Sequence, residues 1–273
     1  MKARYKHLLV ERDAEDERIV WIKLNRPDRL NVMGLELLNE LYEALAEADR
    51  DPSASAIIIT GVGRGFCAGA DLREIKDLGF EDAVRWLTAF SRVMDLIRNT
   101  GKLVVAAVRG PCVAGGLELA LVCDLVVAAK SALLGSPEVK VGSTAYLAAE
   151  LLPIVVGEKR AKEMLLTGRL LTAEEAKEAG LVNKVVEDGE LEEEARKLAL
   201  SVINRVCPMA FRVIKSIINF WASLGQLAWQ VARDMTAAVW TGEEFRERAE
   251  AFLTKKEMRP GKLMGVMPER ASP

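Results

Sequence analysis

Histidine is almost absent from the chain, which contains one histidine, His7, among 273 residues. Hydrolases built on a Ser-His-Asp or Cys-His arrangement, and metal sites built from several imidazoles, need more histidine than this. His7 itself lies in a segment whose pattern predicts an ordinary N-terminal strand. Acid–base chemistry in this protein therefore falls to carboxylates, lysine, tyrosine, cysteine or backbone groups.

Cysteine is also scarce, and the four cysteines form no C-x-x-C pair; they are Cys67, Cys112, Cys123 and Cys207. Scattered cysteines of this kind are typical of reduced thiols in a protein core, and they do not predict a disulfide framework or a zinc site. We therefore expect no metal centre.

Long hydrophobic runs and an excess of basic charge are both missing. The N-terminal segment lacks the apolar stretch of roughly 7–15 residues found in signal peptides, and no later run approaches the roughly 20 apolar residues of a membrane span. Lys and Arg total 38 against 40 Asp and Glu, which leaves a net charge of -2. Nucleic-acid binding requires clustered basic residues to neutralise phosphates. We expect a soluble, cytoplasmic protein with neither a membrane nor a nucleic-acid partner.

What the chain does contain is an alternation of strand and helix patterns, which predicts an α/β architecture. Strands at 5–11 and 18–24 are expected to pair antiparallel. Helices are then predicted at 35–48, at 81–99 and from Gly115. Strands are predicted at 56–60, 103–108 and 124–129. After about residue 157 the pattern is helical, with helices at 158–167 and 172–179, a long helix after Pro208 and a loose tail from about Arg259.

Two glycine-rich turns follow predicted strands. The first, TGVGRGFCAGADL at 60–72, lacks the spacing of a phosphate-binding loop, so a plain structural turn is one interpretation. The other is that its backbone near Gly69 and Ala70 presents N–H groups to a ligand. The second, RGPCVAGGLELALVCDL at 109–125, opens a helix at Gly115, whose N–H lacks an internal partner and lies at the positive end of the helix dipole. Two such donors would form an oxyanion hole.

Two glutamates accompany these turns. Glu118 lies three residues after Gly115 in an otherwise apolar helix, where it either favours the helix dipole or has a functional role. Glu138 follows Pro137 in a turn after the third strand of the series, where a solvated carboxylate is the simpler interpretation. Together, however, two carboxylates can divide the acid and base roles in a protein without a useful histidine.

Several motifs in fixed order resemble those of the enoyl-CoA hydratase/isomerase family, also called the crotonase superfamily. They are GFCAGADL, AGGLELALVCDL, SPEVKVG and LTGRLLTAEEAKEAGLVNKVV, and the resemblance extends from LNRPDRLNVM at 24–33 to AFLTKK at 251–256. It implies a crotonase-like spiral of ββα units carrying the acyl-CoA site at 1–190. It also implies a helical C-terminal region at 191–273 that assembles trimers, or hexamers as pairs of trimers.

The resemblance further implies a reaction. The thioester oxygen of an acyl-CoA would accept hydrogen bonds from the backbone amides of Ala70 and Gly115, and Glu118 and Glu138 match both glutamates of the family's hydratases. The expected reaction is reversible hydration of a 2-enoyl-CoA to a 3-hydroxyacyl-CoA. No cofactor is implied, because coenzyme A enters as part of the substrate.

Coenzyme A contacts are also implied by the resemblance. The adenine is expected near Ala68 and the loop containing Asp71 and Leu72. The candidate phosphate partners are Arg26, Arg73 and a neighbouring subunit's Lys255 or Lys256. Each of these cations also fits a solvated surface position.

One segment departs from the family pattern. Where the hydratases usually have a Pro- and Gly-rich stretch containing Gly-Gly-Thr, residues 142–157 read GSTAYLAAELLPIVVG, with hydroxyls at Ser143, Thr144 and Tyr146. A different pocket floor is expected. The alternatives are an isomerase, decarboxylase or acyl-CoA hydrolase that uses the same oxyanion hole, or a non-catalytic or RNA-associated homologue. A nucleotide-dependent dehydrogenase ranks last because its glycine fingerprint is absent.

Overall fold

The computed structural model describes residues 5–222 and 226–257, in which nine strands form two sheets. The strands are β1 (Leu8–Arg12), β2 (Ile19–Leu24), β3 (Ala56–Gly61), β4 (Leu103–Val108), β5 (Pro111–Val113), β6 (Leu125–Ala129), β7 (Leu133–Gly135), β8 (Leu170–Thr172) and β9 (Lys184–Val186). The helices are α1 (Leu35–Arg50), α2 (Leu72–Ile75), α3 (Phe80–Asn99), α4 (Gly115–Val122), α5 (Tyr146–Val156), α6 (Glu158–Thr167), α7 (Ala173–Glu178), α8 (Leu191–Ile203), α9 (Pro208–Ala222), α10 (Gln226–Trp240) and α11 (Glu243–Leu253). None of the described helices is both long and apolar enough to cross a membrane.

The larger sheet has six strands in the order β1-β2-β3-β4-β6-β9. Strands β1 and β2 are antiparallel, as predicted, and all the later pairs are parallel. Every residue of β3 and of β4 is buried. Such continuous burial is typical of parallel strands whose two faces are both covered, and it explains why these strands lack an alternating pattern.

The chain winds as a spiral because it enters a second, smaller sheet after successive strands of the larger one. The smaller sheet contains β5, β7 and β8, and an isolated bridge between Cys67 and Cys112 extends it. After each of β3, β4 and β6, the chain passes through the smaller sheet and then enters a helical segment. The predicted α/β alternation is thus confirmed as a repeated strand–strand–helix unit.

Helices cover both faces of the larger sheet. The main core contains the buried faces of α1 and α3, and a second cluster packs α8 against the opposite face through Leu191, Ala195 and Ala199. Helix α8, which lies within the predicted C-terminal region at 191–273, therefore packs on the larger sheet. Helices α9 and α10 both contact α3.

The helical predictions after residue 157 are confirmed for α6 and α7, and α7 has the capping box that Thr172 and Glu175 predict. The long helix expected after Pro208 is described as two helices, α9 and α10, and residues 223–225 between them lie outside the described residues. The predicted tail from about Arg259 also lies outside them. Helix α5 occupies the segment that departs from the family pattern, and the sequence analysis did not predict it.

Candidate active site

A cleft of about 590 Å³ lies between the glycine-rich turns, the turn after β7, and helices α3, α10 and α11. It brings together most of the site residues predicted from the sequence. Those that line it are Ala68, Ala70, Asp71, Leu72, Arg73, Gly115, Glu118 and Glu138.

The two glycine-rich turns touch each other at Gly69, and only glycine fits there. Its φ of +88° lies in the left-handed region, and a Cβ on Gly69 would lie 2.7 Å from Ala114 Cβ and 3.1 Å from the backbone nitrogen of Gly115. Both the backbone conformation and the space therefore exclude a side chain. This close approach places the segment that carries Ala70 beside the start of helix α4.

Two backbone N–H groups at this junction make no hydrogen bond to any residue that the structure describes. Around Ala70, the Met33 nitrogen donates to the Gly69 oxygen at 2.8 Å, and the Asp71 nitrogen donates to the Met33 oxygen at 2.9 Å. These bonds hold the segment but leave out the N–H of Ala70. Gly115 is the first residue of α4, so its N–H has no acceptor within the helix. Within the described part of the chain neither N–H is satisfied, and both residues line the cleft.

Ala114, which precedes Gly115, has a strained backbone. Its φ of 53° and ψ of -131° lie in a region that is costly for any residue with a side chain. The conformation is held from both sides, because the Ala114 nitrogen donates to the Gly135 oxygen at 3.0 Å and the Ala114 oxygen accepts from the Glu118 nitrogen at 3.1 Å. These two bonds fix the start of α4 and the direction of the Gly115 N–H.

Glu118 is 4% exposed and points toward the N-terminus of α5. Its Oε1 accepts hydrogen bonds from the backbone nitrogens of Leu147 at 3.0 Å and Ala148 at 2.8 Å. Burial, and next the charge of Glu138, raise the pKa of Glu118, while the two N–H donors act in the opposite direction. The α5 dipole also favours an anion at this position.

Glu138 begins the short 3-10 turn after β7, and its Oε2 accepts a hydrogen bond from Ser136 Oγ at 2.8 Å. Burial raises the pKa of Glu138, and its hydrogen bonds partly oppose this shift. Two neighbouring carboxyl groups that both have raised pKa values favour a state in which the pair holds one proton near neutral pH. The cleft thus holds two carboxyl groups whose pKa values are both raised.

The cationic residues of the site differ in part from the prediction. Arg26 does not line the cleft. Its guanidinium donates to Asp71 Oδ2 at 2.9 Å and to the Val32 oxygen at 2.8 Å, so it stabilises the loop that carries Asp71. Arg29, Arg64 and Lys140 line the cleft instead, and none of the three was predicted from the sequence. Nothing in their local pattern distinguishes them from surface cations.

Lys255 and Lys256 follow α11, whose last residues Phe252 and Leu253 line the cleft. The two lysines are not among the lining residues of this chain. They were predicted to act on a neighbouring subunit's coenzyme A, and that role stays a prediction.

Four aromatic rings line one wall of the cleft: Trp86, Phe90, Tyr146 and Trp240. Trp86 and Phe90 stack with ring centroids 5.7 Å apart, Trp86 meets Trp240 edge-on at 5.3 Å, and Phe90 meets Tyr146 edge-on at 6.3 Å. We call these four residues the aromatic wall. Of them, only Tyr146 was named from the sequence; the spacing of Trp86 and Phe90 by one helical turn was the available signal for two others.

Hydroxyl groups stand beside the aromatic wall, as the segment at 142–157 predicts. Ser143 Oγ accepts a hydrogen bond from Trp240 Nε1 at 2.6 Å, and the hydroxyls of Thr144 and Thr236 are 2.6 Å apart. All of these residues line the cleft. Among the described residues no cluster of three or more His, Cys, Asp or Glu side chains could hold a metal ion.

Comparison with known proteins places this arrangement in a family. The family model described as enoyl-CoA hydratase/isomerase matches residues 14–260. A Thermus thermophilus protein provisionally named as an enoyl-CoA hydratase is 38% identical over 90% of this chain and 98% of that protein. A mevalonyl-coenzyme A hydratase of Aspergillus fumigatus is 36% identical over 90% of this chain and 93% of that protein.

A solved structure agrees with these sequence matches. The crystal structure of an enoyl-CoA hydratase from Mycobacterium avium subsp. paratuberculosis is 27% identical, covers 94% of this chain and 100% of that chain, and superposes with a TM-score of 0.83. The α/β spiral is therefore the crotonase fold expected from the resemblance. The motifs, the fold and the family model all lead to one assignment, and the chain belongs to the enoyl-CoA hydratase/isomerase family.

Proposed function

We propose that this protein catalyses the reversible addition of water to the double bond of a 2-enoyl-CoA, giving a 3-hydroxyacyl-CoA. The observation that carries the proposal is the pair formed by Glu118, which is buried, and Glu138, which is half-buried, in one cleft beside the free N–H groups of Ala70 and Gly115. The relatives named as hydratases agree with this reaction. Retention of both glutamates favours hydration over the isomerase, decarboxylase and hydrolase alternatives.

The two amides would act on the thioester oxygen. Attack of water oxygen at C3 moves the double-bond electrons toward the carbonyl, so negative charge develops on that oxygen. The Ala70 and Gly115 N–H groups would donate to it, and a donor of this kind is worth a factor of about 10²–10³ in rate. The positive end of the α4 dipole adds to the stabilisation.

The glutamates would move the protons. Glu118 orients the water and takes one of its protons, and Glu138 gives a proton to C2, so that the hydroxyl and the hydrogen add to the two carbons. Hydration would proceed from the state in which Glu138 holds the shared proton and Glu118 is ionised, and the two N–H donors from α5 stabilise the ionised Glu118 in that state against the burial that opposes it. After addition the proton lies on Glu118, and exchange through the pair or with solvent restores the starting state.

Coenzyme A would lie at the mouth of the cleft. Ala68, Asp71, Leu72 and Arg73 line this region, and Asp71 caps helix α2 by accepting from the Arg73 nitrogen at 3.3 Å. We propose that these residues surround the adenine end of the substrate. Arg29, Arg64 and Lys140 add positive charge for the phosphates.

We also propose that the protein assembles as a trimer or as a pair of trimers. Helix α9 presents a row of exposed apolar side chains, and burial of such a row would stabilise an assembly. The row contains Met209, Val213, Ile214, Ile217 and Ile218. Sedimentation equilibrium would separate a trimer from a hexamer, and a monomer at micromolar concentration would contradict the proposal.

The first test of the reaction follows the ultraviolet absorbance of the conjugated thioester in crotonyl-CoA. The protein should abolish this band as water adds, and both Glu118→Gln and Glu138→Gln should slow the loss by about 10²–10⁴. Glu178→Gln is the matched control, because the same chemical change then falls on an exposed residue of α7.

Three outcomes are informative. Hydration that both cleft variants lose and the control keeps would support the proposal. Hydration that survives in either cleft variant would remove that glutamate from the mechanism. If the unmodified protein binds crotonyl-CoA but leaves the band unchanged, short-chain hydration is wrong.

A further inference from the structure

One indole N–H in the aromatic wall has no hydrogen-bond partner. Trp86 is 3% exposed, lines the cleft, and its Nε1 makes no hydrogen bond in the described structure. An indole N–H can only donate, so the missing partner must be an acceptor. Buried donors without an acceptor are rare in native proteins, and each one asks for an explanation.

Trp86 lies along the path that an acyl chain would take through the cleft. A Cβ on Gly115 would lie 3.3 Å from Phe90 Cε2, so the Phe90 ring is next to the proposed thioester oxygen site. Trp86 stacks against Phe90, with its ring centroid 5.7 Å from that of Phe90. An acyl chain that follows the aromatic wall away from the thioester therefore passes Trp86 after Phe90.

The other polar groups along the wall are already paired. Trp240 is the second indole of the wall, and its Nε1 donates to Ser143 Oγ at 2.6 Å. The Thr144 and Thr236 hydroxyls bond to each other at 2.6 Å. The two indoles of the wall thus differ in their hydrogen bonding: the N–H of Trp240 donates within the protein, whereas the N–H of Trp86 has no acceptor among the described residues.

We propose that the cleft selects 2-enoyl-CoA substrates whose acyl chain carries a hydrogen-bond-accepting oxygen beyond C3, and that Trp86 Nε1 donates to this oxygen. The proposal rests on the proposed function, because it assigns the acyl group of the same site. The aromatic faces would pack against the carbon skeleton, and the indole N–H would select the oxygen.

The physical basis is an asymmetry between two kinds of acyl chain. The Trp86 N–H is already closed to solvent, so a plain hydrocarbon chain leaves it without an acceptor. A chain with an oxygen at the right position, which the indole would reach by a small rotation on binding, supplies the missing hydrogen bond. Sites built around a polar partner reject analogues that lack it more strongly than apolar pockets reject an extra group. The expected discrimination is about 10- to 100-fold in kcat/KM.

The probes are thioesters of one length. We would compare trans-2-nonenoyl-CoA with the four analogues in which an ether oxygen replaces the methylene at position 5, 6, 7 or 8. An ether oxygen has nearly the size of the methylene group, accepts hydrogen bonds and cannot donate them. Trp86→Phe removes the N–H, and Trp240→Phe is the matched control, since it removes the same ring volume from the same wall. Replacing Trp86 by 3-benzothienylalanine keeps the ring size and removes only the N–H.

For one ether position, the ratio of kcat/KM for the ether to that for the all-carbon chain should fall about 10- to 100-fold in both Trp86 variants. It should change little in Trp240→Phe. The proposal is overturned if the ratio is the same in the unmodified protein and the Trp86 variants at all four positions, or if Trp240→Phe lowers it equally.

Binding of the saturated analogues, which cannot be hydrated, measures the preference for an ether oxygen independently of the reaction. Calorimetric titration of nonanoyl-CoA and its ether analogues should show the same shift in the ratio of dissociation constants. If no enoyl chain is hydrated while the binding ratio depends on Trp86, the proposed reaction fails and the selection stands. If hydration occurs and neither ratio depends on Trp86, the reaction stands and the selection fails.

Discussion

Replacing Glu118 by glutamine should slow hydration by about 10²–10⁴ and, at alkaline pH, stabilise the folded protein. Burial and the charge of Glu138 raise the pKa of Glu118 above its ordinary value of 4.5. The folded protein therefore binds this proton more tightly than the unfolded chain does. Stability that depends on the bound proton is fully present at acidic pH and is lost as pH rises from the unfolded value toward the raised folded value.

The magnitude follows from the width of that window. Each pH unit between the two values lowers the free energy of unfolding by about 1.4 kcal/mol. In the Glu118→Gln variant the side-chain amide oxygen can still accept from the Leu147 and Ala148 nitrogens, so the hydrogen bonds to α5 are kept. The variant should be more stable than the unmodified protein by about 1–4 kcal/mol at about pH 8.5, and nearly equal to it at about pH 5.

Urea unfolding at several pH values, at one fixed protomer concentration, measures this difference. Glu178→Gln, an exposed change in α7, gives the baseline for the substitution itself. A stability difference that is constant between about pH 5 and pH 8.5 would refute the reasoning, because it would mean that the folded protein does not hold the Glu118 proton more tightly. So would a Glu118→Gln variant that is less stable than the unmodified protein at the higher pH.

Three further changes test the backbone and the core. Gly69→Ala forces a Cβ to 2.7 Å from Ala114 Cβ at a φ of +88° and should reduce kcat with crotonyl-CoA by about 10²–10³, because it displaces the Gly115 N–H. Ala114→Gly relieves backbone strain of about 1–3 kcal/mol at an entropic cost of about 0.5–1 kcal/mol, so urea unfolding should show a net stabilisation. Lys215→Met breaks the 2.8 Å ion pair with Asp124 and should cost about 3–5 kcal/mol, most of which Asp124→Asn should restore in the double variant.

The helices with a clear apolar stripe could be predicted from the sequence. Helix α1 was expected at 35–48 and is found at Leu35–Arg50, because its buried leucines recur at helical spacing. Helix α5 was not predicted. It is apolar on nearly all sides and contains Pro153, so neither periodicity nor composition distinguishes it from a loop or a buried strand.

The features of the site also divide into those that have a local sequence signal and those that depend on tertiary packing. The backbone donors could be predicted, because glycine-rich turns after buried strands give local signals at Gly69 and Gly115. The meeting of Trp86 with Trp240 could not, since the two residues lie on α3 and α10, and their contact depends on how these helices pack. The role of Arg26 toward coenzyme A stays a prediction, whereas its ion pair with Asp71 depends on a loop conformation that no local pattern reveals.

The two tryptophans of the aromatic wall and the N–H donors to Glu118 lie on different helices, and this affects how the protein can evolve a new specificity. Trp86 and Trp240 are supplied by α3 and α10, whereas the donors that hold Glu118 belong to the first turn of α5, which Tyr146 begins. Under the proposed function, substitutions on α3 and α10 can therefore change which chains are accepted and leave proton transfer intact. A substitution at Tyr146 alters both at once. Directed evolution toward new acyl groups should accumulate changes on α3 and α10 first and reach α5 last.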